Sequence, residues 1–305
     1  MLKDEGRSAR QKTLKRQARC RGVGLHSGAA VAMTLHPAEI NFGVQFRCGG
    51  QLIRADWRNV EPSPLCTTLV GAGVSIATVE HLLAAFAGLE LDNVLVELSG
   101  PEVPAMDGSA APFVELVERA GLVEQRAPRR AIEVMRPVRV TDGDSSAALE
   151  PADEFSLSFA IDFASDAIRR QRISFVPSPA RFKRDIGRAR TFGFLHEVER
   201  MRAAGLALGG SLDNAVVVSG DSILNEGGLR YSDEFVRHKV LDAMGDLYLA
   251  GGPIVGRFHG QRSGHALNRR LLQCLLADPK AWRYTTLAAA PAAAAWDEVP
   301  QRATA

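Results

Sequence analysis

Thr78-Val-Glu-His-Leu-Leu-Ala-Ala-Phe-Ala-Gly-Leu-Glu-Leu-Asp-Asn-Val-Leu-Val-Glu-Leu98 decides the reading of the fold. From about Thr78 to Gly88 it has a helical pattern, and after Leu91-Asp-Asn93 the run Val94-Leu-Val-Glu-Leu98 is β-rich. The same order returns in the second half of the chain. A helical segment from about Asp233 to Ala250 precedes Pro253-Ile-Val-Gly-Arg-Phe258, and laying Glu80-His81 on Arg237-His238 superposes Gly88 on Gly245. Chance produces such short repeats fairly often, yet this one suggests two similar domains facing each other, with a site between their helices.

Length and composition agree with that division. The 305 residues suit about two domains, and 46% hydrophobic residues suffice for sizeable cores. Between the helical pattern of Ala111 to Leu122 and the strand-like Ala131-Ile-Glu-Val-Met135 lies Arg126-Ala-Pro-Arg-Arg130, a polar, proline-containing break. It separates a domain of residues 1–125, carrying Glu80 and His81, from one of residues 131–286, carrying His238, Asp242 and His265. Residues 287–305 are alanine-rich, interrupted by Pro291, and read as a frayed tail.

The formal net charge of +2 is too small to imply nucleic acid as a partner. Residues 1–21 do carry eight Lys or Arg against Asp4 and Glu5, which reads as a solvated arm, the alternative being transient contact with an anionic ligand or a membrane surface. No apolar stretch reaches the ~18 residues that span a bilayer, and no signal-peptide core follows the basic start. Cys20, Cys48, Cys66 and Cys274 lack CxxC spacing and read as reduced thiols. A cytoplasmic monomer is the expectation.

The chemistry lies in two histidine-bearing stretches. Thr78-Val-Glu-His-Leu82 and His238-Lys-Val-Leu-Asp242 together offer two imidazoles and one carboxylate. A catalytic zinc usually has three such ligands and leaves its fourth position to water. On a helix, residues four apart share a face, so His238 and Asp242 can meet one ion, with Asp246 continuing the stripe and Lys239 turned aside. Glu80 and His81 diverge by about 100° on a helix, which suits one ligand and one neighbouring base. Taken singly, a Glu-His pair is usually solvent-facing and a His-x-x-x-Asp pair is usually a helix salt bridge. Taken together they read first as a metal-dependent hydrolase.

A wider pattern narrows this. Gly22-Val-Gly-Leu-His-Ser-Gly28, Ser75-Ile-Ala-Thr-Val-Glu-His-Leu82, Pro104-Ala-Met-Asp-Gly-Ser-Ala-Ala-Pro-Phe113, Arg190-Thr-Phe-Gly-Phe194, Phe235-Val-Arg-His-Lys239 with Asp242, and Ser263-Gly-His-Ala-Leu-Asn268 occur in this order. Together they closely resemble the UDP-3-O-acyl-N-acetylglucosamine deacetylase family of lipid A synthesis, over about residues 12–280. The resemblance implies an α+β fold, an α/β layered sandwich of two similar domains, each packing helices against a β-sheet. It also implies a zinc amidase that releases acetate from an acylated UDP-sugar.

Residue by residue, the resemblance assigns His81, His238 and Asp242 to the zinc and Glu80 to the general base. His265 becomes a protonated imidazole that stabilises the oxyanion and protonates the leaving amine, with Asp246 holding it charged and oriented. Thr191 becomes a hydroxyl near the oxyanion, although a plain strand residue is its other reading. Lys239 becomes a substrate-binding cation. Cys66 lies near the family's metal site without being an essential ligand. Zinc suits the nitrogen-rich donor set, and Fe2+ would accept it as well.

The acyl chain of such a substrate needs a passage. Leu195, Val198 and Met201 recur at helical spacing ahead of Gly209-Gly210 and the strand-like Ala215-Val-Val-Val218. The resemblance makes residues 194–220 a βαβ insert whose passage is lined by Leu195, Val198, Met201, Ala207, Ser211 and Val217, with Phe192 and Phe194 flanking the sugar or the chain. The alternative is that the same stripe packs onto the domain core. Two other functions stay open: a metal hydrolase of a soluble sugar amide, and a paralogue that binds without turnover.

Overall fold

The computed structural model describes residues 8–288 apart from Pro62 and Pro64. Two five-stranded sheets carry the architecture. The first contains β1 (Ala18–Val23), β2 (Ala30–Pro37), β3 (Val44–Cys48), β4 (Gln51–Arg54) and β5 (Val94–Leu98), ordered β1-β2-β5-β3-β4. The second contains β6 (Val138–Asp142), β7 (Ser145–Glu150), β8 (Ser156–Asp162), β9 (Arg170–Phe175) and β10 (Arg257–Gln261), ordered β6-β7-β10-β8-β9. In each sheet the last strand is central, parallel to one neighbour and antiparallel to the other. The two halves therefore share one topology. Val31, Met33 and Leu35 alternate inward on β2, as Val94, Val96 and Leu98 do on β5.

The longer helices are α1 (Glu80–Leu89), α2 (Ala111–Ala120), α3 (Leu195–Ala203), α4 (Glu234–Tyr248) and α5 (His265–Ala277). α1 and α4 pack against each other, α2 lies on α1 and β1, α4 on β8 and β9, and α5 on β6 and β7. The sequence of α1, Glu-His-Leu-Leu-Ala-Ala-Phe-Ala-Gly-Leu, is apolar nearly all round, so a helix of this kind is stable only when covered on every side. Nine of its ten residues are buried, including Glu80 and His81. Burying two titratable groups on the innermost helix is costly unless they are partnered or used.

Close approach of α1 and α4 depends on Gly245, because a Cβ there would run into the backbone carbonyl of Glu80. Gly245→Ala is expected to force these helices apart and destabilise the protein by about 1–3 kcal/mol. Denaturant unfolding checks this, and an unchanged midpoint would contradict the tight crossing.

Several expectations change in the folded chain. Part of the basic amino-terminal stretch is not a solvated arm: Arg10–Leu14 is a strand paired antiparallel with Leu122–Pro128, and β1 follows it. The carboxylate of Glu90 meets Lys12 at 3.0 Å and Arg129 at 3.1 Å, and Arg129 also binds Asp92 at 2.9 Å. The polar break at Arg126–Arg130 is thus a junction between two strands, Leu122–Pro128 and Arg130–Val134, with the buried Arg129 between them. The helical pattern to Leu122 ends at Ala120, and the run Pro253–Phe258 is split at Gly256 between Ile254–Val255 and β10. Leu287, the first residue of the expected tail, is buried beside Ala131 and Val255. From residue 289 onward that tail lies outside the described residues.

Candidate active site

The start of α1 faces one side of α4. Thr78, a β-branched residue at φ 59°, turns the chain into α1 and donates its hydroxyl to Glu102 at 3.0 Å. Glu102 also accepts the backbone N–H groups of His26 and Ser27, at 2.8 and 2.9 Å. One buried carboxylate thereby joins the Gly22–Gly28 loop to the entry of α1. An unusual backbone angle held by such partners is a form of local strain common at functional sites.

His81, His238 and Asp242 converge, all buried, with ligand atoms within 4.8 Å of one another. The Asp242 Oδ1 atom stands 3.2 Å from His238 Nε2 and 3.5 Å from His81 Nε2. Two donors held ~2.0–2.1 Å from a tetrahedral ion are about 3.3 Å apart, so the spacing suits a metal. Asp242 Oδ1 is buried without a hydrogen-bond partner, whereas Oδ2 pairs with Lys239 Nζ at 2.7 Å. The His238 Nδ1–H donates to the Ala189 carbonyl at 3.0 Å, which fixes the tautomer and turns a basic Nε2 toward the group. An orphaned carboxylate oxygen facing two imidazole nitrogens fits a divalent cation. Burial pushes the His81 pKa down, keeping that ring neutral as a ligand must be. Burial opposes ionisation of Asp242, but His238 and Lys239 outweigh it and hold its carboxyl well below the usual range.

A second cluster flanks the first. His265 Nδ1–H donates to Asp246 Oδ2 at 2.9 Å, and its Nε2 lies 3.8 Å from Glu80 Oε1 and 4.0 Å from Asp242 Oδ2. Burial alone would discharge this imidazole, yet Asp246, then Glu80 and Asp242, push its pKa up to about 10. These partners favour its charged form. Burial raises the Glu80 carboxyl to about 8, with the His265 charge pulling the other way. The result is a carboxyl group of raised basicity beside an imidazolium, a pairing suited to successive proton transfers once Glu80 is ionised.

A cavity of about 880 Å³ opens beside these groups. His238, Lys239, Asp242, His265 and Thr191 stand on its wall, and Phe192, Leu195, Val198, Met201, Ala207, Ser211 and Val217 line it too. Leu195–Ala203 has no buried residue, so its apolar stripe faces the cavity rather than a core. Phe192–Phe194 and Val216–Ser219 pair in parallel around α3. Phe194 is the exception among the expected lining residues. It turns to Phe163, with ring centroids 5.9 Å apart, and does not line the cavity, whereas Phe192 packs near His238.

Other residues reach the site without having been assigned a role from the sequence. Thr67 contacts Glu80 and Asp246, Asn268 donates to Asp246, and His26 lines the cavity with both ring nitrogens buried and unbonded. His26 and Asn268 fall within quoted motifs, which was the available signal; Thr67 carried none. Cys66 is a buried free thiol, 3.6 Å from the Thr68 hydroxyl and outside the ligand group.

Over residues 11–277 the chain matches the family described as UDP-3-O-acyl N-acetylglycosamine deacetylase. It is 52% identical over 284 residues to the UDP-3-O-acyl-N-acetylglucosamine deacetylase of Hahella chejuensis, covering 91% of this chain and 94% of that protein. It is 49% identical over 290 residues to the protein of the same name from Phenylobacterium zucineum, covering 91% and 97%.

Proposed function

The chain belongs to the UDP-3-O-acyl N-acetylglycosamine deacetylase family, and from that premise we propose that it hydrolyses the acetamide of UDP-3-O-acyl-N-acetylglucosamine, releasing acetate, as an early step of lipid A synthesis. One observation carries this reading: the His81, His238 and Asp242 group and the Glu80–His265 pair sit beside a cavity of about 880 Å³ with an apolar stripe on its wall. A divalent ion held by those three residues, zinc by donor type with Fe2+ as the alternative, supplies Lewis acidity toward water and the amide carbonyl.

The chain's own groups carry the protons. Glu80, held at Oε2 by the Thr67 backbone N–H at 3.0 Å, takes the proton of the attacking water. The imidazolium of His265 stabilises the negative charge formed on the carbonyl oxygen and then protonates the departing amine. Asp246 keeps that ring charged and oriented. Thr191 offers its hydroxyl on the same wall, and Lys239 balances the charge of Asp242 and faces substrate oxygens in the cavity. The division into residues 1–125 and 131–286 belongs to the same proposal, each part supplying one side of the site. Purified protein should release one acetate per substrate, and a chelator should abolish the release; activity indifferent to chelation would remove the metal from the reaction.

The apolar part of the lining supports a place for the acyl chain in the cavity. If Leu195, Val198 and Met201 hold it, shortening the chain should lower kcat/KM by up to about 0.8 kcal/mol, or about fourfold, per buried methylene. Rates independent of chain length would favour a soluble amide substrate.

A monomer working in the cytoplasm, with transient contact to a membrane surface, completes the proposal. Four free thiols suit a reducing compartment, and no described helix is long and apolar enough to cross a membrane. Leu65, Leu206, Leu212 and Leu224 on the cavity wall are exposed, a rim suited to lipid contact.

A further inference from the structure

We infer that Thr67 is a positioning residue that ties the two proton-transfer groups to each other, its backbone fixing Glu80 and its hydroxyl fixing the carboxylate behind His265. The inference rests on the proton-transfer roles proposed for Glu80 and His265. Thr67 is 3% exposed and follows directly on Cys66, 13 residues before Glu80 and 179 before Asp246. Its N–H donates to Glu80 Oε2 at 3.0 Å, and its hydroxyl donates to Asp246 Oδ1 at 2.5 Å.

The direction of that second bond follows from its surroundings. The Thr67 Oγ1 is also 3.3 Å from His265 Nδ1, but that nitrogen already gives its proton to Asp246 Oδ2 at 2.9 Å. With a donor on that side, the one hydroxyl proton of Thr67 goes to Asp246. The other oxygen of Asp246 is held as well. Asn268 donates Nδ2 to Oδ2 at 2.9 Å, and the Ser263 hydroxyl, donating to Asn268 Oδ1 at 2.8 Å, fixes which way that amide points.

Asp246 is therefore gripped at both oxygens from opposite sides, by Thr67 and by Asn268. Removing the Thr67 hydroxyl releases one side, so the carboxylate can rotate and the His265 ring can tilt with it. Displacing a proton donor by a fraction of an ångström slows the chemical step while leaving substrate contacts in place. A misplaced reacting group of this kind can cost up to about 100-fold in rate.

Thr67→Val keeps the shape and the backbone N–H but removes the hydroxyl, whereas Thr67→Ser keeps the hydroxyl. In metal-loaded protein, Thr67→Val should lower kcat about 10–100-fold, with KM within about twofold and metal content unchanged. Thr67→Ser should recover most of that loss. The downfield Nδ1–H proton resonance of His265, assigned by its disappearance in His265→Ala, should be sharp in the unaltered protein and Thr67→Ser, and broadened in Thr67→Val. A full kcat in Thr67→Val, an equal loss in both variants, or an unbroadened resonance would each overturn the inference. If the unaltered protein released no acetate, the deacetylase reading would fall, and the resonance would still decide whether Thr67 positions His265.

Discussion

Alanine in place of His81 or His238 is expected to strip the protein of most of its bound divalent metal and with it nearly all acetate release. His81 comes from α1 and His238 and Asp242 from α4, so no single helix offers the full set. A site with three protein donors cannot lose one and keep its affinity, because the remaining pair no longer encloses the ion. The mutated residue was also part of a buried group in which Asp242 Oδ1 has no other partner. Metal analysis of the purified variants decides the matter: one ion per chain in the unaltered protein, and far less in either variant. Unchanged metal content in both would sink the ligand assignment.

The second large effect separates the base from the acid. Glu80→Gln should retain its metal, since Glu80 is outside the ligand set, yet lose on the order of 10²–10⁴ in rate. His265→Ala should lose a comparable factor. Their pH profiles should differ in sign. Glu80 acts as a carboxylate, so activity rises with pH as it ionises; burial places that event near 8, and a bound cation would bring it lower. His265 acts as a cation, so activity is present below its raised pKa of about 10 and is lost as pH climbs through it. A bell results. Asp246→Asn, which removes the main partner that raises His265, should move the basic limb toward lower pH. A full bell retained by both Glu80→Gln and His265→Ala would leave neither role standing.

The helices were legible because their periodicity is local. α1 and α4 lie within about two residues of the segments read from the sequence, and β5 coincides with the run Val94–Leu98. The partition of the amino-terminal half was less legible. Arg10–Leu14 is charged and reads as solvent-facing, but Lys12 finds Glu90, and the strand finds Leu122–Pro128. Such pairings join charges 78 residues apart and backbone groups more than a hundred residues apart, and no window of sequence contains both partners. The different surroundings of Phe192 and Phe194 were hidden for a related reason. Phe194 shares a short strand with Phe192, and both rings lie 5.9 Å from Phe163, but only Phe192 comes near His238 and the cavity wall.

By itself the sequence placed His238 and Asp242 on one helix face, because residues four apart share a face whatever surrounds them, while the roles expected of Glu80, His81 and His265 came from the resemblance to a known family. It also showed the helix-then-strand order that recurs in both halves. Tertiary structure alone decided the central placing of β5 and β10, the meeting of His81 with Asp242, and the grip of Thr67 on Asp246, a partner 179 residues away. The physical reason is that hydrogen bonds and ion pairs act over a few ångströms of space, while the chain brings those atoms together only when the two layers of helices close on one another.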